Sequence, residues 1–139
     1  MNKINTAWII DDDKILTFIL QKIMSSVNFS TNIEVFQNGE DAIQHLYSIS
    51  QNSEALPDVI LLDLNMPIMD GWQFLDEYKK IKLNKKIPIH IVSSSIDPHD
   101  HNKAKDYTVV TDFYTKPIGK KQLELIIESY NKPSILIQE

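Results

Sequence analysis

Polar side chains directly follow four short apolar runs of this sequence. In chain order they are Asp11-Asp12-Asp13, Asp63, Ser93-Ser94-Ser95 and Lys116-Pro117. Each group alone has an ordinary explanation as a solvated loop, a helix cap or a turn. Asp63 is the hardest to explain that way, because it comes directly after the four apolar residues Val59-Ile60-Leu61-Leu62. The four groups together indicate a site.

These residue types fit phosphoryl transfer to a carboxylate. Carboxylates held close together repel one another, so at neutral pH they need protons, a lysine or a divalent cation. Oxygen ligands without His or Cys favour Mg²⁺. A carboxylate beside that cation, here Asp63, can attack a phosphoryl group and form an acyl phosphate. Lys116 and the metal would neutralise the phosphoryl oxygens in the transition state, and the hydroxyl of Ser93 would hold another oxygen.

Short apolar runs alternate with amphipathic segments, a pattern typical of a parallel sheet with helices on both faces. The predicted strands are residues 7–10, 33–36, 59–62, 87–92 and 109–115. The alternation predicts a doubly wound, flavodoxin-like α/β fold with five parallel strands in the order 2-1-3-4-5. Ligands of such sheets bind at the carboxyl ends of the strands, beside the switch in strand order. The four polar groups would therefore meet in one crevice.

Five helices are expected between and after these strands. Asp13 would cap the first, in which Ile15, Phe18, Ile19 and Ile23 recur at helical spacing. Asn38-Gly39 would begin the second. The third would carry Trp72, Leu75, Tyr78 and Ile81, and the fourth, after Asp97-Pro98, would be short and mobile. The fifth would have an apolar stripe of Leu123, Ile126, Ile127 and Tyr130.

The composition points to one ordinary globular domain. The chain has 139 residues, 42% hydrophobic and 24% charged residues, and no Cys. We predict a domain over residues 1–131 and a C-terminal tail over 132–139. The formal net charge of −5 argues against direct binding to nucleic acid. No apolar run approaches the roughly 18 residues of a membrane span, so a cytoplasmic protein without membrane insertion is expected.

The four polar segments resemble those of a response-regulator receiver domain of two-component signalling, over essentially the whole chain. The resemblance is carried by Trp8–Asp13, Val59–Pro67 with Asp70-Gly71, Ile89–Ser94 and Phe113–Pro117. It implies a stand-alone regulator similar to single-domain chemotaxis regulators. It also implies that the protein is a signalling phosphoacceptor, with self-catalysed phosphorylation and dephosphorylation at most.

The resemblance implies a role for each site residue. Asp63 would be the phosphoacceptor of a Mg²⁺-dependent reaction. Asp12 would bind the metal directly, Asp11 through water, and Asn65 through its backbone carbonyl. Lys116 would contact the phosphoryl group, and its bond to Pro117 is often cis in this family.

The resemblance also implies a switch built from Ser93 and Phe113. Phosphorylation would draw Ser93 towards Asp63 and let Phe113 turn inward. Serine replaces the commoner threonine at position 93, and Phe113 lacks the hydroxyl of the commoner tyrosine. The expected partners are a histidine kinase or histidine phosphotransfer protein as donor and a downstream effector protein. Whether the chain is a terminal switch or a phosphorelay intermediate stays open.

Two other functions compete with this one. A phosphatase of the haloacid-dehalogenase type also forms an aspartyl phosphate, but it needs a second aspartate where this chain has Asn65. A degenerate receiver would act only as a binding module. The four histidines have ordinary explanations: we expect His99 and His101 to lie on solvent, and His45 and His90 to be structural.

Overall fold

The computed structural model describes residues 2–132, in which five strands and five helices alternate. The strands are β1 (Thr6–Ile10), β2 (Asn32–Phe36), β3 (Val59–Leu62), β4 (Ile89–Ser93) and β5 (Val110–Thr115). The helices are α1 (Lys14–Ser26), α2 (Gly39–Ile49), α3 (Gly71–Tyr78), α4 (Pro98–Ala104) and α5 (Lys120–Asn131). Every predicted element is present, with boundaries that differ from the predicted ones by a few residues at most.

The strands form one parallel sheet in the order β2-β1-β3-β4-β5, so the predicted doubly wound fold is confirmed. One layer of the core packs α2, α3 and α4 against the sheet and is centred on Trp8, Ile60 and Phe74. The other packs α1 and α5 against the opposite face, around Phe29, Leu61 and Leu123. Every residue of β1, β3 and β4 is buried, because these three strands have helices on both faces.

The inward face of α1 differs from the apolar stripe of the sequence. Asp13 caps the helix as predicted, accepting a hydrogen bond from the backbone N–H of Leu16 at 3.0 Å. The residues that α1 buries are Thr17, Leu20 and Met24. The predicted stripe lies largely outside, with Ile15 75%, Phe18 59% and Ile19 48% exposed and Ile23 half-buried. Apolar residues occupy more than one side of this helix, so spacing alone did not identify the side that meets the sheet.

Helix α3 ends at Tyr78, before the predicted Ile81, which packs on the core from the following turn. Helix α4 is short, as expected, with seven residues capped by Asp97. Its mobility stays a prediction. No helix among residues 2–132 is long and apolar enough to cross a membrane. Of the predicted domain and tail, Met1 and residues 133–139 lie outside the described residues, and the boundary at 131 stays a prediction.

The pairing of β4 with β5 contains a β-bulge. Ile89 pairs with Val110, but His90 pairs with Asp112, so Thr111 is an extra residue on the edge strand. The extra residue shifts the alternation of side chains along β5. Phe113 consequently packs on the core layer of α4, and Tyr114 packs on that of α5.

Candidate functional site

The predicted site residues of β1 and β3 are neighbours at the carboxyl edge of the sheet. Ile10 pairs with Leu62, and the next backbone N–H, that of Asp63, donates to the carbonyl of Ile10 at 2.9 Å. The backbone N–H of Asp11 donates to Phe36 on the other side. Sheet hydrogen bonds thus place Asp11 and Asp63 side by side.

The three carboxylates that could bind a cation converge. One oxygen from each of Asp11, Asp12 and Asp63 lies within 4.8 Å of the others. Asp11 and Asp63 are buried, and Asp12 is exposed. An all-oxygen donor set with an open side fits Mg²⁺, which keeps several of its waters. Asn65 is exposed two residues after Asp63, and the metal contact of its carbonyl stays a prediction.

Lys116 reaches this cluster from the end of β5. Its Nζ lies 2.8 Å from Asp11 Oδ2 and 3.4 Å from Asp63 Oδ1. The backbone N–H of Lys116 donates to the carbonyl of Ser93 at 2.8 Å, which fixes the end of β5 beside the end of β4. The bond between Lys116 and Pro117 is cis, as the resemblance implied. A single ammonium therefore serves both buried carboxylates.

Burial and the neighbouring charges change the pKa values of both Asp63 and Lys116, and their contributions partly oppose one another. Burial and the charge of Asp11 raise the pKa of Asp63 to about 6, against the lowering effect of Lys116. Burial lowers the pKa of Lys116, but the ion pairs with Asp11 and Asp63 outweigh it, so that pKa lies above its ordinary value. The pocket thus holds more negative charge than its lysine neutralises, which favours a cation.

The two predicted switch residues stand further along β4 and β5. Ser93 is fully buried, and its Oγ accepts a hydrogen bond from the backbone N–H of Ser95 at 3.1 Å. Phe113 is half-buried, and its ring stacks on that of His101 with 3.8 Å between centroids. Both side chains therefore contact the loop or helix that follows β4.

Gly71 lets α3 begin directly against the backbone of the proposed acceptor. A Cβ at this position would lie 2.5 Å from the carbonyl oxygen of Asp63 and 2.8 Å from Cα of Leu64. The Gly71 N–H donates to the carbonyl of Leu64 at 2.8 Å. Only glycine permits this approach, so the loop after β3 is pinned close to Asp63.

Sequence reasoning missed an apolar cavity beside the site. It has a volume of about 70 Å³ and is lined by Asp63, Lys116 and apolar side chains of the sheet, α1 and the segment after β5. Ile19 stands at its wall and at the same time belongs to the exposed face of α1. The recurring apolar residues of α1 were the sequence signal that could have indicated this cavity. Their outward direction, however, depends on tertiary packing.

Two other features near the site were also missed. Ile68, in the loop after Asp63, has a φ of 68°, and the Met69 N–H donates to the carbonyl of Pro67 at 2.7 Å across it. This γ-turn places a β-branched residue in the left-handed region, which costs energy. Ser95 donates from its Oγ to Oδ2 of Asp100 at 2.5 Å.

The residues that were set aside lie mostly where they were expected. His99 is exposed, and His45 lies on α2 beside the rings of Trp8 and Phe36. His90 is buried inside the protein. His101 differs from expectation, because it is only partly exposed and stacks on Phe113.

Comparisons with known proteins bear on the family and on the fold of this chain. The sequence profile of the response regulator receiver domain matches residues 7–128. The chain is 33% identical over 138 residues to a protein-glutamate methylesterase/protein-glutamine glutaminase of Treponema denticola, an alignment that covers 93% of this chain. The chain spans only about a third of that relative's length, 33%.

Two solved structures have the same fold. A two component response regulator from Cytophaga hutchinsonii has a TM-score of 0.82 and 28% identity, covering 92% of this chain and 97% of that one. The phosphorylated cyanobacterial phytochrome response regulator RcpA has a TM-score of 0.72 and 28% identity, covering 90% and 89%. The similarity therefore extends over nearly the whole chain.

Proposed function

This chain belongs to the response regulator receiver domain family, and we propose that it is a phosphorylation-dependent switch whose acceptor is Asp63. Receiver domains of two-component systems are signalling phosphoacceptors that bind Mg²⁺ at an acidic pocket and interact with histidine kinases and effectors. One observation carries the assignment to Asp63. Its buried carboxylate lies within 4.8 Å of oxygens of Asp11 and Asp12, and 3.4 Å from the ammonium of Lys116.

The proposed reaction needs few groups. A carboxylate oxygen of Asp63 forms a bond to phosphorus as the phosphorus–nitrogen bond of a phosphohistidine breaks. The imidazole nitrogen leaves with the electron pair and is protonated from solvent. Lys116 stabilises the charge on the transferred phosphoryl oxygens, and the hydroxyl of Ser93 donates to one of them. Mg²⁺ held by Asp12, Asp63 and the carbonyl of Asn65, and by Asp11 through water, would supply the remaining positive charge.

We place the donor on the exposed face of α1. Ile15, Phe18 and Ile19 form an apolar surface that continues into the cavity lined by Asp63 and Lys116. A donor that packs on this surface has its reacting group beside the acceptor, and exposed apolar patches mark such contacts. The occupant we propose is the helix of a histidine kinase or phosphotransfer protein that carries the phosphohistidine.

The output is proposed to be altered binding of an effector protein. Phe113 lies on β5 at the edge of the sheet, so a change in its position alters a surface open to a partner. Stand-alone action and a cytoplasmic location stay predictions. In the methylesterase relative, the region that matches this chain is part of a longer protein. The activity in the name of that relative is a property of the relative alone. The match to the receiver family supports this proposal over the phosphatase alternative.

The test is incubation with acetyl phosphate and Mg²⁺, followed by intact-mass measurement. We expect the wild type to gain the mass of one phosphoryl group, labile to base, and Asp63→Asn to gain none. Asp13→Asn is the matched control, because Asp13 is an adjacent acid that caps α1; it should still form the adduct. A wild type that gains no mass with several small donors would instead support the degenerate receiver that only binds proteins.

A further inference from the structure

The segment between β2 and α2 contacts both loops that carry the proposed metal ligands. On one side, the carbonyl of Phe36 accepts a hydrogen bond from the backbone N–H of Asp11 at 2.9 Å. On the other side, the backbone N–H of Gly39 donates to the carbonyl of Met69 at 3.0 Å. Asp11 begins the acidic loop after β1, and Met69 lies in the loop between β3 and α3. Residues 36–39 therefore connect the two loops.

The bond between Gly39 and Met69 also caps α2. The first N–H groups of a helix have no partner inside the helix. Gly39 is the first residue of α2, and its N–H donates to the loop, whereas the N–H of Asp41 donates to the side chain of Asn38 at 2.8 Å. Gly39 is buried, so moving the loop away would leave a buried donor without its acceptor, which costs energy. The helix and the loop are therefore held together.

The contact at position 39 leaves no room for a side chain. A Cβ on Gly39 would lie 2.9 Å from Cγ, 3.0 Å from the carbonyl oxygen and 3.1 Å from Sδ of Met69. Contacts this short would force Met69 to move. The φ of Gly39 is not positive, so the reason for glycine here is the close approach of the loop and not a special backbone conformation.

The loop that Gly39 holds contains backbone strain. Ile68, directly before Met69, has a φ of 68°, which is unfavourable for a β-branched residue. Its side chain is 77% exposed, so side-chain packing does little to impose this conformation. Strain of this kind persists only where surrounding contacts enforce it. The hydrogen bond from Gly39 to the next carbonyl along the chain is such a contact.

The same loop contains the carbonyl that is proposed to face the metal. Asn65 lies between Leu64, whose carbonyl accepts from the N–H of Gly71 at 2.8 Å, and the strained residue Ile68. The short link from Asn65 to Ile68 includes Pro67, whose ring fixes its φ. A change of the backbone angles at Ile68 is therefore transmitted towards the Asn65 carbonyl.

We propose that Gly39 is a positioning residue for the cation site, because it ties the loop after β3 to α2 and so fixes the direction of the Asn65 carbonyl. The inference rests on the Mg²⁺ site of the proposed function. Since the carbonyl of Phe36 holds Asp11 from the same segment, residues 36–39 set the separation of the two ligand-bearing loops. A side chain at position 39 moves one loop and weakens cation binding without removing a ligand.

Gly39→Ala should weaken Mg²⁺ binding by about tenfold or more, since groups that orient metal ligands commonly have effects of this size. Isothermal titration calorimetry with MgCl₂ measures the affinity, and urea titration with EDTA shows whether the variant is folded. Gly119→Ala is the matched control, because a Cβ there would lie 3.4 Å from Gln122 Oε1, without a clash. Its Mg²⁺ affinity should equal that of the wild type.

A second substitution separates positioning from general damage. Met69→Ala removes two of the three close contacts that a Cβ at position 39 would make, but it keeps the backbone hydrogen bond. Met69→Ala alone should therefore bind Mg²⁺ as the wild type does. The double variant Gly39→Ala/Met69→Ala should recover part of the lost affinity, although its stability falls further because Met69 packs on the core.

Amide NMR spectra without Mg²⁺ locate the change in the loop. Gly39→Ala should move the signals of Asn65 and Ile68. The strong intraresidue NOE between the N–H and the Hα of Ile68, which a positive φ produces, should weaken. Gly119→Ala should leave both signals and the NOE as they are in the wild type.

The outcomes separate this inference from the proposal on which it rests. A wild type that binds no Mg²⁺ would overturn both. A wild type that binds Mg²⁺, together with a folded Gly39→Ala that binds it equally well, would overturn the positioning role alone. A double variant that recovers no affinity would also count against it. Should Gly39→Ala fail to fold, the double variant replaces it: an affinity equal to that of Met69→Ala would refute the role, and a weaker one would support it.

Discussion

The ammonium of Lys116 lies 2.8 Å from a carboxylate oxygen of Asp11, nearer than it lies to the proposed acceptor. In this arrangement Lys116 neutralises Asp11, the residue that the resemblance places next to the metal. A cation taken up by the acidic cluster would compete for Asp11 and leave Lys116 to the oxygens around Asp63. The lysine would then have two successive partners.

Replacing Lys116 by alanine should lower stability and abolish switching. Two buried carboxylates would lose their cation, so we expect the free energy of unfolding in Mg²⁺-free buffer to fall by about 3 kcal/mol. Acetyl phosphate should still form some adduct. Urea titration and intact-mass measurement check these effects, with Lys116→Arg as a charge-retaining control. Effector binding that stays phosphate-dependent in Lys116→Ala would contradict the assigned role.

Replacing Asp63 by asparagine should stabilise the metal-free protein at neutral pH. The pKa of Asp63 is raised from 3.8 to about 6 by burial and Asp11, so the folded state binds the proton more tightly than the unfolded state. The protonated Asp63 carboxyl contributes fully to the free energy of unfolding below pH 4, and this contribution is lost as the pH rises through 6. In the metal-free protein at pH 7.5, Asp63→Asn should raise the free energy of unfolding by at most about 3 kcal/mol.

Unfolding curves at pH 4 and pH 7.5, with EDTA or with Mg²⁺, measure this effect. Mg²⁺ should raise the Tm of the wild type at pH 7.5 and raise that of Asp63→Asn much less. An equal difference between the two proteins at both pH values would contradict the electrostatic explanation.

Replacing His90 by leucine should improve stability in acid. His90 is 3% exposed, its Nδ1 has no hydrogen-bond partner among residues 2–132, and Asp112 Oδ2 lies 3.8 Å away. Burial lowers the pKa of His90 from 6.5 to about 4, against the opposing charge of Asp112. The contribution of neutral His90 is therefore complete above pH 6.5 and is lost as the pH falls towards 4, by about 3 kcal/mol.

Urea titrations at pH 7.5 and pH 4.5 check this prediction. The stability gained by His90→Leu over the wild type should be larger at pH 4.5. Ile91→Val changes the same strand without a titrating group, so its effect should be equal at both pH values. A His90→Leu effect that does not vary with pH would show that the imidazole does not limit acid stability.

Replacing Ile15 by lysine should impair transfer from a protein donor while sparing small donors. Ile15 is 75% exposed on the proposed docking face, so the change should cost little stability. A buried interface would have to desolvate the new charge, and we expect transfer from a phosphorylated histidine kinase to slow at least about tenfold. Leu125→Lys, on the exposed side of α5, is the matched control. Equal slowing with acetyl phosphate would contradict a docking role.

The strands could be predicted because their boundaries depend on local chemistry. β3 has the predicted limits, since four apolar residues are followed by an acid that must reach the surface. β4 begins at Ile89, two residues later than predicted, because Pro88 has no N–H to pair. The convergence of Asp11, Asp63 and Lys116 followed from strand order, so the site was largely predictable from the sequence.

What could not be predicted depends on packing between elements. The outward direction of Phe18 reflects which side of α1 the sheet covers, and several sides are apolar. The contact of Ser95 with Asp100 requires the turn between β4 and α4, and the stack of His101 on Phe113 requires the register of β5. Residue spacing alone encodes none of these arrangements, because the first and third depend on tertiary packing and the second depends on the conformation of one turn.

The bulge at Thr111 limits how this chain can vary in length. Removing one residue from the edge strand would restore simple alternation and exchange the faces of the side chains on one side of the deletion. Either Val110 would leave the core layer of α4, or Phe113 and Lys116 would change their positions. We expect homologous chains to tolerate substitutions at Thr111 readily and single-residue deletions hardly at all. Thr111 thus acts as a spacer whose presence matters more than its side chain.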